Sequence, residues 1–380
     1  MKSNVELRQK NMLTLLRTVR DYGPIQKRQL QSITGLSWGT VSTMTAELME
    51  NGYLQIAGKQ STDVGRRPDM LDISDRDHLA IGVDFHATGV IAVAADMRGR
   101  ILRSASAQFP VCSRDAALDT LYEVLDQTVE FCQGKHILGI AFALQGVVDV
   151  NLGTSVRIPR LEDWQDVPLK ELVEQKYQLP TWVIHDPDCL MKTEQVLGTT
   201  GMRGAANALL LRMERYGIGM SVLIDGNRYI GTRGKAGEIG KTFVPDPGSG
   251  GVTTLENCVC EKNLLDYYRQ ISGKDCNSVK TLAELARQGD PDGVKVFDWM
   301  GQCLGMALVN TINLFNPELI TLAGHMSRYA DLFGPEMEER IRQDAYDDSA
   351  AIKAADLDAN AGAQGAALLV VDRYLANCTL

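Results

Sequence analysis

The chain reads as an α/β protein in which a short helical head, closed by a two-stranded wing, precedes a larger body of two lobes. Three observations predict this. Helical periodicity with two short connections fills residues 5–51, two alternating strand patterns around a basic hairpin follow, and from Leu79 strands alternate with helices twice over. At 380 residues and 44% hydrophobic content the chain has material for two or three cores.

Charge divides along the same line. Residues 1–75 hold ten Lys and Arg against eight Asp and Glu, so this segment is +2 while the remainder carries −11 of the net −9. That asymmetry suits a head that faces an anionic partner and an acidic, soluble body. The apolar run Ala366 to Val371 is far too short to span a bilayer, and no charged start leads into an apolar leader. A cytoplasmic protein with no membrane contact is expected. The eight cysteines stand at irregular spacing and read as buried thiols rather than a disulfide framework.

In the first helix, over 5–22, Met12, Leu13, Leu15, Leu16 and Val19 share one face, and Gly23-Pro24 ends it. A second helix is predicted at about 26–34, closed by Gly35, which can take a positive φ. Ser37 then caps a third helix, 37–51, that buries Val41, Met44 and Leu48 with Thr45 at the stripe's edge. Small hydroxyl residues crowd the outer face of this helix near its N-terminus, where a recognition helix meets base edges and phosphates. An ordinary three-helix bundle with a polar surface would give the same pattern. What favours DNA is the sequel: Tyr53 to Ile56 and Met70 to Ile73 alternate as strands, and the hairpin between them carries Gly65-Arg66-Arg67-Pro68. Residues 1–75 are therefore read as a winged helix-turn-helix. Its candidate contacts to double-stranded DNA are Lys27, Arg28, Ser37, Trp38, Thr40, Ser42, Thr43, Arg66 and Arg67.

The body, 76–380, starts with strands at 81–84, 90–94 and 101–108, the last two joined by the turn Met97 to Arg100. A helix at about 114–133, a strand at 137–144 and a strand ending at Ile184 complete one set. The second set has strands at 207–212 and 219–225, helices at about 278–289 and 292–315, a strand at 318–323, and helices at 328–346 and 362–376.

Seven short motifs in this body and wing occur in a telling order: Gly65 to Pro68, Gly146-Val147-Val148-Asp149, His185-Asp186, Gly237-Glu238-Ile239-Gly240, Leu255-Glu256, Asn310-Thr311-Ile312-Asn313 to Asn316-Pro317-Glu318, and Gly362 to Ala367. In these the chain resembles the ROK family of repressors, open reading frames and kinases, over essentially its whole length. The resemblance implies a two-lobed actin-like ATPase, or ribonuclease H-like, sugar-kinase fold with a sugar in the cleft. It also implies, for regulator members, an N-terminal winged helix of this kind.

The kinase chemistry is where the chain departs from the family. Kinase members hold ATP with three glycine-rich segments, since glycine lets backbone N–H groups close on phosphate oxygens. Here the three stand as Asp84-Phe85-His86-Ala87-Thr88, Arg215-Tyr216-Gly217-Ile218-Gly219-Met220-Ser221, and Ala323-Gly324-His325-Met326. Bulky side chains at all three argue against a working nucleotide site, so no enzyme activity and no cofactor are expected. Asp186 falls where the resemblance places the kinases' general base; it can equally cap the helix that begins near Pro187.

The family's zinc ligands are replaced as well. Lys241 stands for the histidine, and Pro247, Ser249 and Thr254 for the cysteines, a set that cannot form a thiolate and imidazole tetrahedron. Cys258-Val259-Cys260 lacks a second donor pair and reads as packing, so no metal is expected; glycines and Pro247 are left to shape the 245–253 loop.

Carried over by resemblance, the sugar contacts are Gly146, Asp186, Glu238 and Glu256. Three further contact positions have changed, to Arg160, His185 and Lys241. Two explanations stand side by side: Lys241 neutralises Glu238 or Glu256, or the effector is an anionic sugar phosphate or sugar acid. The expected function is a sugar-responsive transcriptional regulator, a repressor of carbohydrate genes, that binds a palindromic operator as a homodimer and is released by its effector. A carbohydrate kinase with an added DNA-binding head, or a regulator that answers to a partner protein, are the alternatives.

Overall fold

A computed structural model describes residues 4–59, 69–74, 77–109, 113–161, 163–232, 234–246 and 249–377. The hairpin bearing Arg66 and Arg67 lies outside the described residues. Contacts divide the chain into two compact units: residues 1–145, 152–184 and 362–380 form the first, and residues 146–151 and 185–361 the second.

The first unit opens with α1 (Asn4–Tyr22), β1 (Ile25–Gln26), α2 (Lys27–Thr34), α3 (Trp38–Glu50), β2 (Leu54–Lys59) and β3 (Asp69–Ile73). Met12, Leu15, Leu16, Val19, Leu30, Val41 and Leu48 are fully buried between the three helices, and Leu71 and Ile73 of β3 close the core from the sheet side. Gly35 ends α2 in the left-handed region at φ 67°, and Ser37 caps α3 by accepting the Thr40 N–H. Two details differ from the sequence reading. Gln26 is not helical: Ile25 and Gln26 pair with Leu71 and Met70, giving a three-stranded sheet in the order β1-β3-β2. Thr45 is fully buried, because its hydroxyl bonds back to the Val41 carbonyl at 2.7 Å and needs no water.

The same unit continues with β4 (His78–His86), β5 (Gly89–Asp96), β6 (Ile101–Gln108), α4 (Arg114–Phe131), β7 (His136–Leu144), β9 (Thr154–Arg157), α5 (Leu169–Tyr177) and β10 (Thr181–His185, its last residue falling in the second unit). The sheet order is β10-β7-β4-β5-β6, with β4-β5 and β5-β6 antiparallel and β4-β7 parallel. The C-terminal helix α12 (Ala361–Asn377) returns to cover it. A Cβ at Gly82 of β4 would stand 1.8 Å from the Ala363 carbonyl oxygen, so only glycine permits this approach.

The head is tied to this sheet and helix. Arg98, in the β5-β6 turn, donates to the Val19 carbonyl at 2.9 Å and pairs with Asp72 of β3 at 2.7 Å. From α12, Asp372 takes Arg20 at 2.7 Å, the Leu375 carbonyl accepts from Arg17 at 3.3 Å, and the hydroxyls of Tyr374 and Tyr53 share a 2.7 Å bond. Tyr53 also stacks on His78 at 4.1 Å.

The second unit holds β8 (Val147–Asp149), α6 (Asp186–Leu197), β11 (Ala208–Glu214), β12 (Gly217–Ile224), β13 (Asn227–Tyr229), β14 (Phe243–Pro245), β15 (Val252–Thr254), α7 (Leu255–Val259), α8 (Glu261–Ser272), α9 (Val279–Arg287), α10 (Pro291–Phe315), β16 (Leu319–Ala323), α11 (Ala330–Asp344) and β17 (Ala351–Ala354). Its main sheet runs β13-β12-β11-β16-β17. Here too the first three strands are antiparallel neighbours in turn, and the first pairs in parallel with the fourth. Each unit thus carries a ribonuclease H-like sheet of the same topology. The largest core of this unit packs α7 to α11 on β11, β12 and β16, with Phe297, Met300, Leu304 and Phe333 buried.

Among the described residues no helix is long and apolar enough to cross a membrane. Six cysteines are described, all as free thiols; Cys132, Cys189, Cys258 and Cys303 are buried.

Candidate functional site

In the head, the outer face of α3 presents Ser37, Trp38, Gly39, Thr43 and Ala46 as exposed residues, with Thr40 and Ser42 half-buried. Trp38 is 48% exposed, unusual for an indole without a partner surface. The Thr40 hydroxyl shares a 2.9 Å bond with Ser37, whereas no such bond ties down Thr43. Lys27 and Arg28 stand in the first turn of α2.

In the second unit the segment Ile218-Gly219-Met220 of β12 backs five of the seven candidate sugar contacts. On one side a Cβ at Gly219 would come 2.8 Å from Pro187 and 3.4 Å from the His185 ring, so glycine lets the first turn of α6 lie against the strand. On the other, the Met220 N–H donates to the Gly237 carbonyl at 2.9 Å, which sets the turn that carries Glu238. Gly240 then rests on the Ile218 carbonyl and against Glu256, and Lys241 Nζ reaches Glu256 Oε1 at 2.5 Å. Of the other two, Gly146 leads into β8 with φ 96°, and Arg160 is an exposed residue of the first unit with φ 70°.

Asp186 does not cap a helix, which corrects one of the two readings given above. It is the first residue of α6, the cap position belongs to His185, and His185 makes no capping bond. The Asp186 side chain, nearly fully buried, instead faces Arg212 of β11: Nη1 lies 2.9 Å from Asp186 Oδ2, and the guanidinium Nε donates to Glu214 at 3.2 Å. His185 Nε2 lies 3.6 Å from the other oxygen of Asp186. Arg212 was missed in the sequence, although a charged residue between the apolar run Leu209-Leu210-Leu211 and Met213 is a signal that a buried partner must exist.

In the first of the three segments that depart from the family pattern, two backbone N–H groups bond within the chain. The Ala87 N–H donates to the Gln145 side chain at 3.1 Å, and the Thr88 N–H to His86 Nδ1 at 3.4 Å. At the second segment Arg215 pairs with Glu261 at 3.3 Å, while its carbonyl accepts the Glu261 N–H. At the third, burial and the nearby Arg215 hold the His325 imidazole below its ordinary range.

The 245–253 loop is closed through Asp246, whose carboxylate accepts from Trp299 and Ser249 and whose backbone bonds to Gly250 and Gly251. Among the described residues no group of three or more His, Cys, Asp or Glu is placed to hold a metal ion.

A winged helix-turn-helix ahead of two sheets of this shared topology is the layout of a transcriptional regulator built on a sugar-kinase fold. The chain belongs to the ROK family, whose profile matches residues 80–373. It is 27% identical over 360 residues to the DNA-binding transcriptional dual regulator NagC of Escherichia coli K12, covering 90% of this chain and 87% of that one. Among solved structures, a ROK family transcriptional regulator described as a homologue of the E. coli MLC protein superposes with a TM-score of 0.80 at 20% identity, over 97% of both chains. The ROK hexokinase of Thermus thermophilus superposes with a TM-score of 0.65 at 23% identity, over 97% of its own length but 76% of this chain.

Proposed function

We propose that this protein is a sugar-responsive transcriptional repressor that works in the cytoplasm, with residues 1–75 reading the operator and residues 76–380 binding the effector. The observation that carries this is the coverage: the fold matches a ROK regulator from end to end, whereas the hexokinase leaves about a quarter of this chain unmatched. The family profile begins at residue 80, after the head. Residue chemistry supports the same reading. Asp186 faces a buried arginine, so its carboxylate is already engaged within the protein. The N–H groups at Ala87 and Thr88 are occupied within the chain, which supports a scaffold without a phosphoryl-transfer site. Two heads related by a two-fold axis give a homodimer on a palindromic operator.

The test joins both activities. Full-length protein is titrated onto DNA from upstream of its own gene by fluorescence anisotropy, with and without a monosaccharide panel, and the same preparation is assayed for phosphoryl transfer from magnesium ATP. Specific binding relieved by one sugar is expected. Turnover of about 1 s⁻¹ or more, the ordinary kinase range, overturns the reading in favour of a kinase with an added head.

A further inference from the structure

Two glycines, Gly219 and Gly324, make room for charged groups in the second unit. Gly219 admits the first turn of α6, which brings Asp186 to the sheet. Gly324, at φ 91°, makes room for Glu214: a Cβ there would come 2.6 Å from the Met213 carbonyl oxygen and 3.0 Å from Glu214 Oε1. Between these carboxylates lies Arg212, whose own cross-strand neighbours, Gly219 and Ala323, are both small. The result is a continuous charged chain, Asp186 to Arg212 to Glu214.

The charges around this chain are unequal. Arg212 serves two carboxylates and Lys241 is paired with Glu256, while Glu238 is exposed. Asp188 and Arg228, 3.7 Å apart, offset one another. Within the second unit Asp186, Glu214, Glu238 and Glu256 therefore exceed Arg212 and Lys241 by two; Arg215 and Glu261 offset one another, and Arg160 belongs to the first unit. Such a set accepts hydroxyl hydrogens readily and repels a phosphate or a carboxylate.

We propose that Arg212 is a positioning residue of the effector site, holding Asp186 as a fixed acceptor for a ligand hydroxyl, and that the effector is an uncharged sugar. This rests on the sugar-responsive reading above and narrows it. Lys241, one of the three changed positions that could have signalled an anionic effector, is paired with Glu256.

The experiment measures ligand affinity by calorimetry on the full-length protein, with neutral monosaccharides including D-glucose, D-xylose and N-acetyl-D-glucosamine, and with their phosphate esters and uronic acids. Wild-type protein should bind one neutral sugar and none of its anionic derivatives. In Arg212→Gln the affinity for that sugar should fall roughly tenfold or more, the scale of a lost charge-assisted contact. Arg212→Lys should recover part of the loss, since it restores charge without the two-carboxylate fork. If Arg212→Gln does not fold, the wild-type panel and Arg212→Lys decide. Binding of phosphate esters or uronic acids in preference to neutral sugars overturns the proposal while leaving a sugar-responsive regulator standing, as does an Arg212→Gln protein that binds the neutral sugar like wild type. Failure of every carbohydrate to bind overturns the regulator's sugar-responsive reading, and the proposal with it.

Discussion

Trp299 donates its indole N–H to Asp246 Oδ1 at 2.9 Å, pinning the loop after β14 to the long helix α10. Asp246 accepts from Ser249 through its other oxygen, and the Tyr267 ring lies 4.7 Å from Trp299. One carboxylate therefore organises a loop that the family resemblance would assign to a metal.

The first prediction follows from this anchor. Purified protein should contain no stoichiometric zinc and should keep its melting temperature in chelator, because a structural zinc contributes folding free energy directly. Trp299→Phe should cost about 1 kcal/mol through the stranded carboxylate oxygen. Elemental analysis and thermal melts check both; about one zinc per chain would contradict the first.

The Lys241 and Glu256 pair supplies the second. Both side chains reach solvent, and exposed ion pairs are worth about 0–1 kcal/mol, so Lys241→Ala should barely change stability. Glu256→Ala should leave operator binding intact in the absence of effector and abolish release, since a ligand shifts the protein only through its differential affinity for two states. In a reporter assay that variant behaves as a super-repressor. A normal dose response from Glu256→Ala would remove Glu256 from the effector site.

The third concerns the head. Replacing both Arg66 and Arg67 by alanine should flatten the dependence of log affinity on log salt by about two, near 0.9 for each lost phosphate contact. Ser42→Ala or Thr43→Ala should instead alter base preference at one operator position. An unchanged salt slope in the double variant would take the wing out of the interface.

Much of the fold was legible in the sequence because its long elements are strongly periodic or uniformly apolar. β4, β5, β6, β7, α4, α10 and α12 lie where the hydrophobic spacing placed them, within a few residues at each end. The segments it left undescribed have physical reasons for silence. β17 is an edge strand whose residues are mostly exposed, so it has no apolar alternation to show. β14 and β15 are three residues each, too short for any period to emerge. Two charged residues of the candidate site went unread, Arg212 and Glu214, because their pairing with Asp186 of α6 is brought about only by folding. Motif order found Asp186, but only geometry revealed what faces it.

The attachment of the head has a consequence for how this protein is made. Arg20 meets its partner 352 residues later, and Tyr53 meets Tyr374. Ribosomes deliver the N-terminal domain first. The helices of the head can assemble early and meet Arg98 and His78 soon after, yet their contacts with α12 form only once residues 372–375 have been added. A chain cut short before α12 would carry a head held by one of its two mountings alone.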